Sequence, residues 1–305
     1  MSQAAAPQSA APIARTQKQA SPLPGKGMWI YQMRTIAGGN VERIAEEARK
    51  HGLTHIYVRV GGLRGLDTLS EAASILEPAH RRGIKVIAWY FPYFRDVDVD
   101  VSRSLIAINT DVRGHFFDGF AVDIESANGS KLSAETAGRY SRELREKAPA
   151  AYLIAVPPRP TQHALGYFPY DATMPHYDAI APMVYWSRFD PAESTRDAMR
   201  FLAKYGKPVA PIGQTYDMFT EGGPRGNPPP HQIWAFMSEA QKLGAPGVSF
   251  WSWQHATTEN WRTLRSYPWD VKEPPKAEAP PGRTLCRIFV EVVPSRLSNV
   301  CGAAS

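Results

Sequence analysis

The alternation of strand-length apolar runs with longer amphipathic stretches constrains the fold of this 305-residue chain more than any other feature. Eight runs have the composition of β-strands, and they cover residues 28–33, 55–61, 85–91, 117–125, 152–156, 179–185, 209–216 and 248–253. Strands that alternate with helices form βαβ units and a parallel sheet. Eight such units predict a single-domain α/β fold, a closed (β/α)8 TIM barrel, which usually takes roughly 250 residues. Loop-rich sequence over 157–177 shortens or replaces the fifth helix.

Capping residues mark the beginnings of two of the predicted helices. Thr68 and Glu71 match the capping-box pattern, and the helix that they open is expected to end at Gly83. Asp190 supplies an N-cap and Pro191 a first-turn proline for a later helix. These signals place helices after the second and the sixth runs, where a barrel requires them.

The two ends of the chain differ in composition from the centre. Residues 1–26 are rich in Ala, Gln, Ser and Pro and lack the apolar segment of a secretory signal, so we expect a disordered leader. Residues 27–270 are predicted to form the barrel, and 271–305 a Pro-rich linker and a tail of unknown role. The only cysteines, Cys286 and Cys301, lie in this tail and could pair in an oxidising compartment.

The net charge and hydropathy of the chain limit the kinds of molecule that it is expected to bind. The formal net charge is +6 and the pI is about 9.3, but no long run of Lys or Arg is present, so no nucleic-acid binding is predicted. An anionic cell-wall or acidic glycan remains compatible with this charge. No apolar run approaches the roughly 20 residues of a membrane span. The eight histidines lack metal-ligand spacing such as HExxH, so no metal is expected.

Two carboxylates close the fourth strand-like run at the end where barrel enzymes carry their chemistry. Strand residues alternate in direction, so Gly119, Ala121, Asp123 and Glu125 share the face toward the barrel axis. Mutual repulsion and burial are expected to raise the pKa of one of the two acids, as a general acid requires near neutral pH. The alternative is that both form structural ion pairs with an interior Arg.

The segment DGFAVDIE over residues 118–125 resembles the Asp-Gly-x-Asp-x-Asp-x-Glu signature of family 18 glycoside hydrolases, the chitinase-like barrels. The resemblance implies that Glu125 is the general acid/base. It also implies that Asp123 orients the N-acetyl group of the substrate, which acts as the internal nucleophile. Ala121 stands where the pattern has its first inner Asp, which is a departure from the family.

Two further short motifs support the resemblance over about residues 27–267. Met183 and Tyr185 resemble the Met-x-Tyr of the family's sixth strand, whose Tyr supports the reacting acetamido group. Trp251 resembles the eighth-strand Trp that forms the floor of the sugar site. The Asp that often follows the Tyr of the sixth strand is replaced by Trp186.

The same alternation nominates further residues that bind substrate. Arg59 is expected to face inward and could pair with Asp123 or Glu125, and His255 is a possible contact at the rim. The remaining candidates are aromatic or amide side chains near strand ends, namely Trp29, Tyr31, Tyr57, Trp89, Gln214, Tyr216 and Trp253.

Together these features predict a glycosidase that cleaves a β-linked polysaccharide of N-acetylated amino sugars, of the chitin or peptidoglycan type. We expect a monomer without cofactor. The substrate class suggests an extracellular or cell-envelope location, although no signal peptide is recognised. One alternative is a muramidase similar to family 25 lysozymes, whose barrel also carries an Asp-x-Glu. The other is a catalytically silent glycan-binding barrel, which Ala121 would explain.

Overall fold

A ring of eight parallel strands forms the centre of the molecule in the computed structural model, which describes residues 17–127 and 129–269. The strands are β1 Gly25–Ile30, β2 His55–Gly61, β3 Lys85–Tyr90, β4 Gly119–Asp123, β5 Leu153–Val156, β6 Ala179–Ile180, β7 Ile212–Gln214 and β8 Gly247–Trp251. Each strand pairs in parallel with its sequence neighbour from β1 to β6, and β8 pairs with both β1 and β7. The Ala210 N–H donates to the Ile180 carbonyl at 2.9 Å and the Val184 N–H to Ile212 at 2.8 Å. These bonds join β6 to β7 and close the ring, so the predicted (β/α)8 barrel is confirmed.

Helices connect consecutive strands around the outside of the ring. They are α1 Val41–Lys50, α2 Leu69–Ala73, α3 Leu76–His80, α4 Val97–Ile108, α5 Ala134–Lys147, α6 Gln162–Leu165, α7 Tyr170–Thr173, α8 Pro191–Leu202, α9 Pro230–Lys242 and α10 Thr258–Ser266. Only the short α6, α7 and a 3-10 turn, Met174–His176, lie between β5 and β6, where the sequence predicted a shortened helix. The Asp190 side chain accepts the Glu193 N–H at 2.7 Å, which is the expected N-cap of α8.

Alternating strand residues separate the core into two layers. On β4, Phe120 and Val122 pack toward the helices, as does Ile124 beyond the strand end. Ala121 lies in the other cluster, inside the barrel, with Trp29. Asp123 therefore reaches the interior from the last position of β4, as the alternation predicts.

The expected capping box at Thr68 is wrong. The Thr68 hydroxyl donates to the Arg59 carbonyl at 2.8 Å instead of accepting an N–H of the helix. The Glu71 carboxylate accepts the Arg34 N–H at 2.6 Å, so it is also occupied elsewhere. Thr68 thus joins the helix to β2, and Glu71 joins it to the segment after β1. Local sequence could not reveal these partners, because they come from other parts of the fold.

The helix expected to run to Gly83 is divided into α2 and α3. Proline lacks the backbone N–H that a continuous helix would use to bond the residue four positions earlier. A residue with an N–H at position 78 would have bonded the carbonyl of Ser74, which is the C-cap directly after α2. The proline therefore explains the break.

Part of the predicted leader is ordered. The Gln19 side chain donates to the Phe117 carbonyl at 2.9 Å and accepts the Tyr152 N–H at 3.1 Å. Leu23 is fully buried in the interior cluster, and β1 already begins at Gly25. The disordered-leader prediction is thus wrong for 17–26, because this segment covers apolar surface at the amino end of the barrel.

Other predictions for the ends fall outside the described residues. These are the leader over 1–16, the linker and tail over 271–305, and the pairing of Cys286 with Cys301. In the ranges that the structure describes, none of the helices has both the length and the apolar character that crossing a membrane requires.

Candidate active site

A cavity of about 910 Å³ opens at the carboxyl ends of the strands. It is the end at which barrel enzymes carry their active sites. The cavity brings together residues that are far apart in the sequence. Those already nominated from the sequence are Trp29, Tyr31, Arg59, Trp89, Asp123, Glu125, Met183, Tyr185 and Trp251.

Four aromatic side chains form one contiguous part of the cavity wall. The Trp251 ring centre lies 5.7 Å from that of Trp89 and 6.1 Å from that of Trp29. Tyr31 lies 6.2 Å from Trp251 and 6.4 Å from Trp89, and it is 43% exposed. The Trp29 indole N–H donates to Ser249 Oγ at 2.9 Å, which fixes the ring. Such a wall offers flat apolar surfaces that can contact the C–H faces of sugar rings.

The carboxyl groups of Asp123 and Glu125 lie next to each other on the wall of the same cavity. Asp123 is 8% exposed, and its Oδ1 has no hydrogen-bond partner among the described residues. Burial raises the pKa of Asp123 well above its ordinary value, and the neighbouring Glu125 raises it further by charge and hydrogen bonding. Burial also raises the pKa of Glu125. The pair therefore keeps a proton to higher pH than two isolated carboxyl groups would.

Tyr185 adds a neutral hydroxyl beside this pair. Burial raises the pKa of Tyr185 well above its ordinary value, and the charges of Tyr216, Glu125 and Asp123 act in the same direction. The Tyr185 and Tyr216 rings meet edge to face at 5.6 Å between centres. Tyr185 thus remains a hydrogen-bond donor throughout the physiological pH range.

Ala121 lies beneath Asp123 and is fully buried inside the barrel. An aspartate at this position would add a third interior carboxyl group next to the pair. With alanine there, the carboxyl groups on β4 and directly after it that reach the interior are Asp123 and Glu125. This departure from the family pattern makes Glu125 the principal charged neighbour of Asp123.

Arg59 does not pair with the central carboxylates. Its guanidinium group forms an ion pair with Asp67 at 3.1 Å and lies 5.6 Å from the centre of the Tyr31 ring. Asp67 follows β2 in the loop that leads to α2, so the partner is local. Asp123 and Glu125 are consequently not neutralised by this arginine. The possible ion pair of Arg59 with either acid does not form among the described residues.

Three nominated side chains lie away from the cavity surface. Tyr57 is fully buried, and its ring stacks on Trp29 at 4.1 Å below the cavity. Gln214 is also fully buried, and its Oε1 accepts the Ser187 N–H at 3.0 Å. Trp253 packs in the outer layer, with its ring 4.8 Å from that of Trp261 on α10. Because β8 ends at Trp251, strand alternation does not extend to Trp253.

A second cavity of about 330 Å³ adjoins the first. Tyr185, Trp251 and Glu221 line both cavities, whereas Tyr216 and His255 line the smaller one only. Two of the nominated residues, Tyr216 and His255, therefore belong to this side lobe.

Glu221 was not predicted from the sequence. It ends the 3-10 turn Met218–Glu221 after β7, and its backbone carbonyl accepts the Ser187 hydroxyl at 2.9 Å. The charge of Glu221 contributes to the raised pKa of Glu125. The only available signal was its place after a strand, because loop residues have no alternation to show their direction. Throughout the described ranges, no three His, Cys, Asp or Glu residues are grouped as metal ligands.

No protein-family model matches the sequence, and no curated protein matches it. Solved structures do resemble the fold. The chain is similar to the catalytic domain of a hyperthermophilic chitinase from Pyrococcus furiosus, with a TM-score of 0.58 and 13% identity over 81% of this chain and 95% of that one. It is similar to the spore cortex-lytic enzyme SleL of Bacillus cereus, with a TM-score of 0.59 and 14% identity over 79% of this chain and 73% of that one. It is also similar to an endo-β-1,4-mannanase from Thermotoga petrophila, with a TM-score of 0.59 and 12% identity over 80% of this chain and 76% of that one. The shared fold is the (β/α)8 barrel.

Proposed function

We propose that this protein is a glycoside hydrolase that cleaves β-linked polysaccharides of N-acetylated amino sugars, of the chitin or peptidoglycan type. The observation that carries the proposal is the buried pair of Asp123 and Glu125 on the wall of an aromatic cavity. Glycosidic cleavage needs a carboxylic acid that remains protonated near neutral pH. Burial raises the pKa of Glu125, which favours the protonated form that such an acid needs.

In the proposed reaction, Glu125 donates its proton to the glycosidic oxygen as the bond from that oxygen to the anomeric carbon breaks. The carbonyl oxygen of the substrate's acetamido group attacks the same carbon and forms a cyclic intermediate. Asp123 holds the acetamido N–H, and the Tyr185 hydroxyl donates to the carbonyl side of that group. Water then opens the ring, and Glu125 takes a proton from this water. Atoms and charge balance without a cofactor.

The aromatic wall supports this chemistry by binding the sugar. Trp251 lies between the large cavity and its side lobe, so a sugar ring stacked on it would lie beside Tyr185. Stacking of this kind is insensitive to the detailed pattern of hydroxyl groups. The polar groups around it, Asp123 and Tyr185, would then select the acetamido group.

The structural likenesses support a glycosidase in general terms. The similar structures include a chitinase, a cortex-lytic enzyme and a mannanase, and all three have names that indicate action on a polymer. The choice of an N-acetylated substrate depends instead on Asp123, Tyr185 and the resemblance of residues 118–125 to the family 18 signature.

A catalytically silent glycan-binding barrel is the second candidate, and Ala121 is the observation that favours it. Loss of an interior carboxyl group next to the acid pair could reduce or abolish turnover while leaving the aromatic wall intact. Under this alternative, Glu125 would be a buried carboxyl group of the wall that contributes to binding without catalysing cleavage.

Activity screening on chitin oligomers, peptidoglycan and deacetylated glucosamine polymer tests the proposal. We expect release of reducing ends from one or both N-acetylated substrates and none from the deacetylated polymer. The Glu125→Gln variant serves as control for contaminating activity. Binding to these glycans without turnover by the wild-type protein would identify the silent barrel instead.

A further inference from the structure

The basic residues on the wall of the large cavity all lie on one side of the barrel mouth. Among the described residues that line this cavity, they are Arg34, Arg59 and Arg64, on β2 or on the segments that follow β1 and β2. The acid pair, Asp123 and Glu125, lies at the end of β4. We call the part of the wall formed by the three arginines the basic lobe. The cavity is therefore polar, with positive charge on one side and the proposed catalytic acid on another.

Two carboxylates share the basic lobe, and both are already engaged. Asp67 pairs with Arg59 at 3.1 Å, and Glu71 Oε1 accepts the backbone N–H of Arg34 at 2.6 Å. Among the residues that the structure describes, the guanidinium groups of Arg34 and Arg64 have no ion-pair partner, and both residues are exposed. The lobe thus has more positive than negative groups, and two of its guanidinium groups can bind an anion.

Hydrogen bonds fix the backbone that carries these two arginines. Gly62 and Gly65 exchange two N–H···O bonds of 2.9 Å, which close a tight turn that contains Arg64. The φ of Gly65 is +82°, a value that favours glycine. The bond to Glu71 ties the 3-10 turn that contains Arg34 to α2. Because these segments are already ordered, less conformational entropy is lost when they bind a ligand.

The basic lobe adjoins the aromatic wall. The guanidinium carbon of Arg59 lies 5.6 Å from the Tyr31 ring centre, and that ring lies 6.2 Å from Trp251. A sugar stacked on this wall would therefore have the lobe beside it. A negatively charged group on the sugar would be attracted toward the arginines and repelled by ionised Asp123 or Glu125.

The chemistry of the guanidinium group indicates which anion fits. Its planar array of N–H donors matches a carboxylate, which it can bind through two parallel hydrogen bonds. A polymer of N-acetylglucosamine alone has no carboxylate. Peptidoglycan has one in each free lactyl group of N-acetylmuramic acid, or several in the peptide attached there. The basic lobe thus has a suitable ligand in one of the two polymer types that the proposed function includes.

We infer that the basic lobe binds a carboxylate of the substrate, so that the preferred polymer is of the peptidoglycan type rather than neutral chitin. Arg34 and Arg64 donate to this carboxylate, and Arg59 adds positive charge beside them. The inference rests on the proposed function for the N-acetylated sugar backbone. It goes beyond that function by assigning a site for an acidic substituent and by choosing between the two polymers.

Binding measurements on the full-length Glu125→Gln protein test the lobe without requiring turnover. Titration calorimetry compares the neutral β-1,4-linked tetramer of N-acetylglucosamine with a tetramer in which N-acetylglucosamine and N-acetylmuramic acid alternate. The acidic tetramer is used with free lactyl groups and with attached peptides. Replacing Arg34 and Arg64 together by Gln should weaken acidic-tetramer binding by at least about tenfold, as expected for lost charge-assisted hydrogen bonds. Binding of the neutral tetramer should change less than about twofold.

The two acidic ligands distinguish the sources of the carboxylate. A loss with the free lactyl form identifies the lactyl carboxylate, whereas a loss with the peptide-bearing form alone identifies the peptide. The matched control replaces Arg43 on α1 and Arg200 on α8 by Gln, because both are exposed and their loss changes the net charge equally. This control should change the binding of each tetramer less than about twofold.

The outcomes separate the basic lobe from the proposed reaction. Equal affinity of the Glu125→Gln parent for neutral and acidic tetramers, or equal losses for both in the Arg34 and Arg64 variant, would overturn the lobe even if the wild type is an active glycosidase. A loss of acidic-tetramer binding as large in the control would also overturn it. A selective, arginine-dependent preference for an acidic tetramer would support the lobe even if the wild type cleaved none of these glycans.

Discussion

At the residue scale, Asp123 lies on the wall of the candidate active site, in surroundings that disfavour the ionised form of its carboxyl group. Its carboxyl group is buried, one oxygen lacks a partner among the described residues, and a second acid lies beside it. Ionising such a group costs free energy, because burial reduces its hydration and the neighbouring Glu125 disfavours a second charge. Sites that sacrifice stability in this way are typical of functional residues.

Asp123→Asn should therefore stabilise the fold at neutral pH. The folded-state pKa of Asp123 is raised, so its contribution to stability is fully present below the unfolded-state pKa of about 3.9 and is lost as pH rises through the folded-state pKa. Asparagine does not ionise and escapes this loss. Thermal unfolding should show a gain of about 0.5–2 kcal/mol near pH 7 that shrinks toward pH 4. Asp67→Asn, which removes the ion pair with Arg59, should give no gain. A variant of Asp123 that is less stable at pH 7 would contradict this account.

Glu221 is expected to set the pH range of the reaction. Its negative charge helps to raise the pKa of Glu125, so Glu221→Gln should lower that pKa. Since the acid must be protonated, the alkaline limb of the kcat/KM profile should move to lower pH. Glu259→Gln, which removes an exposed carboxylate on α10, should leave the limb in place. An alkaline limb that is identical in the Glu221 variant and the wild type would refute the role of Glu221.

Strand alternation explains why some of these residues could be predicted and others could not. Asp123 and Glu125 could be predicted because they continue the alternation of side-chain direction along a clearly recognisable strand. The partner of Arg59 could not be predicted, because Asp67 lies in a loop whose path depends on the packing of α2. Glu221 was missed for the same reason.

At the scale of elements, the end of β8 shows where the alternation rule stops. Trp251 is the last strand residue and lines both cavities, whereas Trp253, two positions later, packs against α10. The strand ends at Trp251, so the alternation of side-chain direction does not extend to Trp253. Trp251 and Trp253 are two positions apart and would face the same way on a continuous strand. They nevertheless lie in different parts of the fold, the cavity wall and the outer helical layer.

Replacing each tryptophan by alanine should separate binding from stability. Trp251→Ala is expected to weaken glycan binding by about 1–3 kcal/mol, as loss of aromatic stacking does elsewhere. Trp253→Ala should instead lower the free energy of unfolding by about 0.5–3 kcal/mol, because its partly buried ring packs against the core and Trp261. Glycan titration and chemical denaturation of both variants provide the comparison. Weaker binding in the folded Trp253 variant, equal to that of Trp251→Ala, would show that both rings contact the sugar.

Helix N-caps were predicted correctly from the sequence where the capping side chain bonds within its own helix. The prediction failed where groups elsewhere in the fold compete for the same side chains. Asp190 caps α8 through an N–H three residues away. Thr68 and Glu71 have an equally suitable spacing, yet they bond to Arg59 and Arg34. The sequence pattern alone does not distinguish the two cases, because the competing groups lie outside the helix and its cap.

At the scale of the whole molecule, the barrel has a functional end and a structural end. The carboxyl ends of the strands carry the cavity, whereas the segment that leads into β1 covers the opposite end. Composition predicted disorder through residue 26, because a polar segment rich in Ala, Gln and Pro has few apolar side chains. One of them, Leu23, is nevertheless fully buried.

Leu23→Ala should destabilise the protein without changing its chemistry. Removing a fully buried leucine side chain costs about 2–5 kcal/mol. The expected loss in chemical denaturation is in this range, whereas kcat/KM of the folded variant should equal that of the wild type. Ile106→Ala on α4, where the side chain is 54% exposed, should cost no more than about 0.5 kcal/mol. A comparable loss in both variants would mean that the segment does not close the barrel.

The most direct test of the central claim, that Glu125 protonates the leaving oxygen, compares two leaving groups. kcat/KM is measured for wild type and Glu125→Gln on an N-acetylglucosamine oligomer and on an aryl glycoside of the same sugar with an acidic phenol. The sugar leaving group needs a proton, so the variant should lose about 10²–10⁴-fold on the oligomer. The phenol leaves as an anion without one, so its loss should be less than about tenfold. Equal losses on both substrates, or full activity of the variant on the oligomer, would contradict the assignment of Glu125 as the general acid.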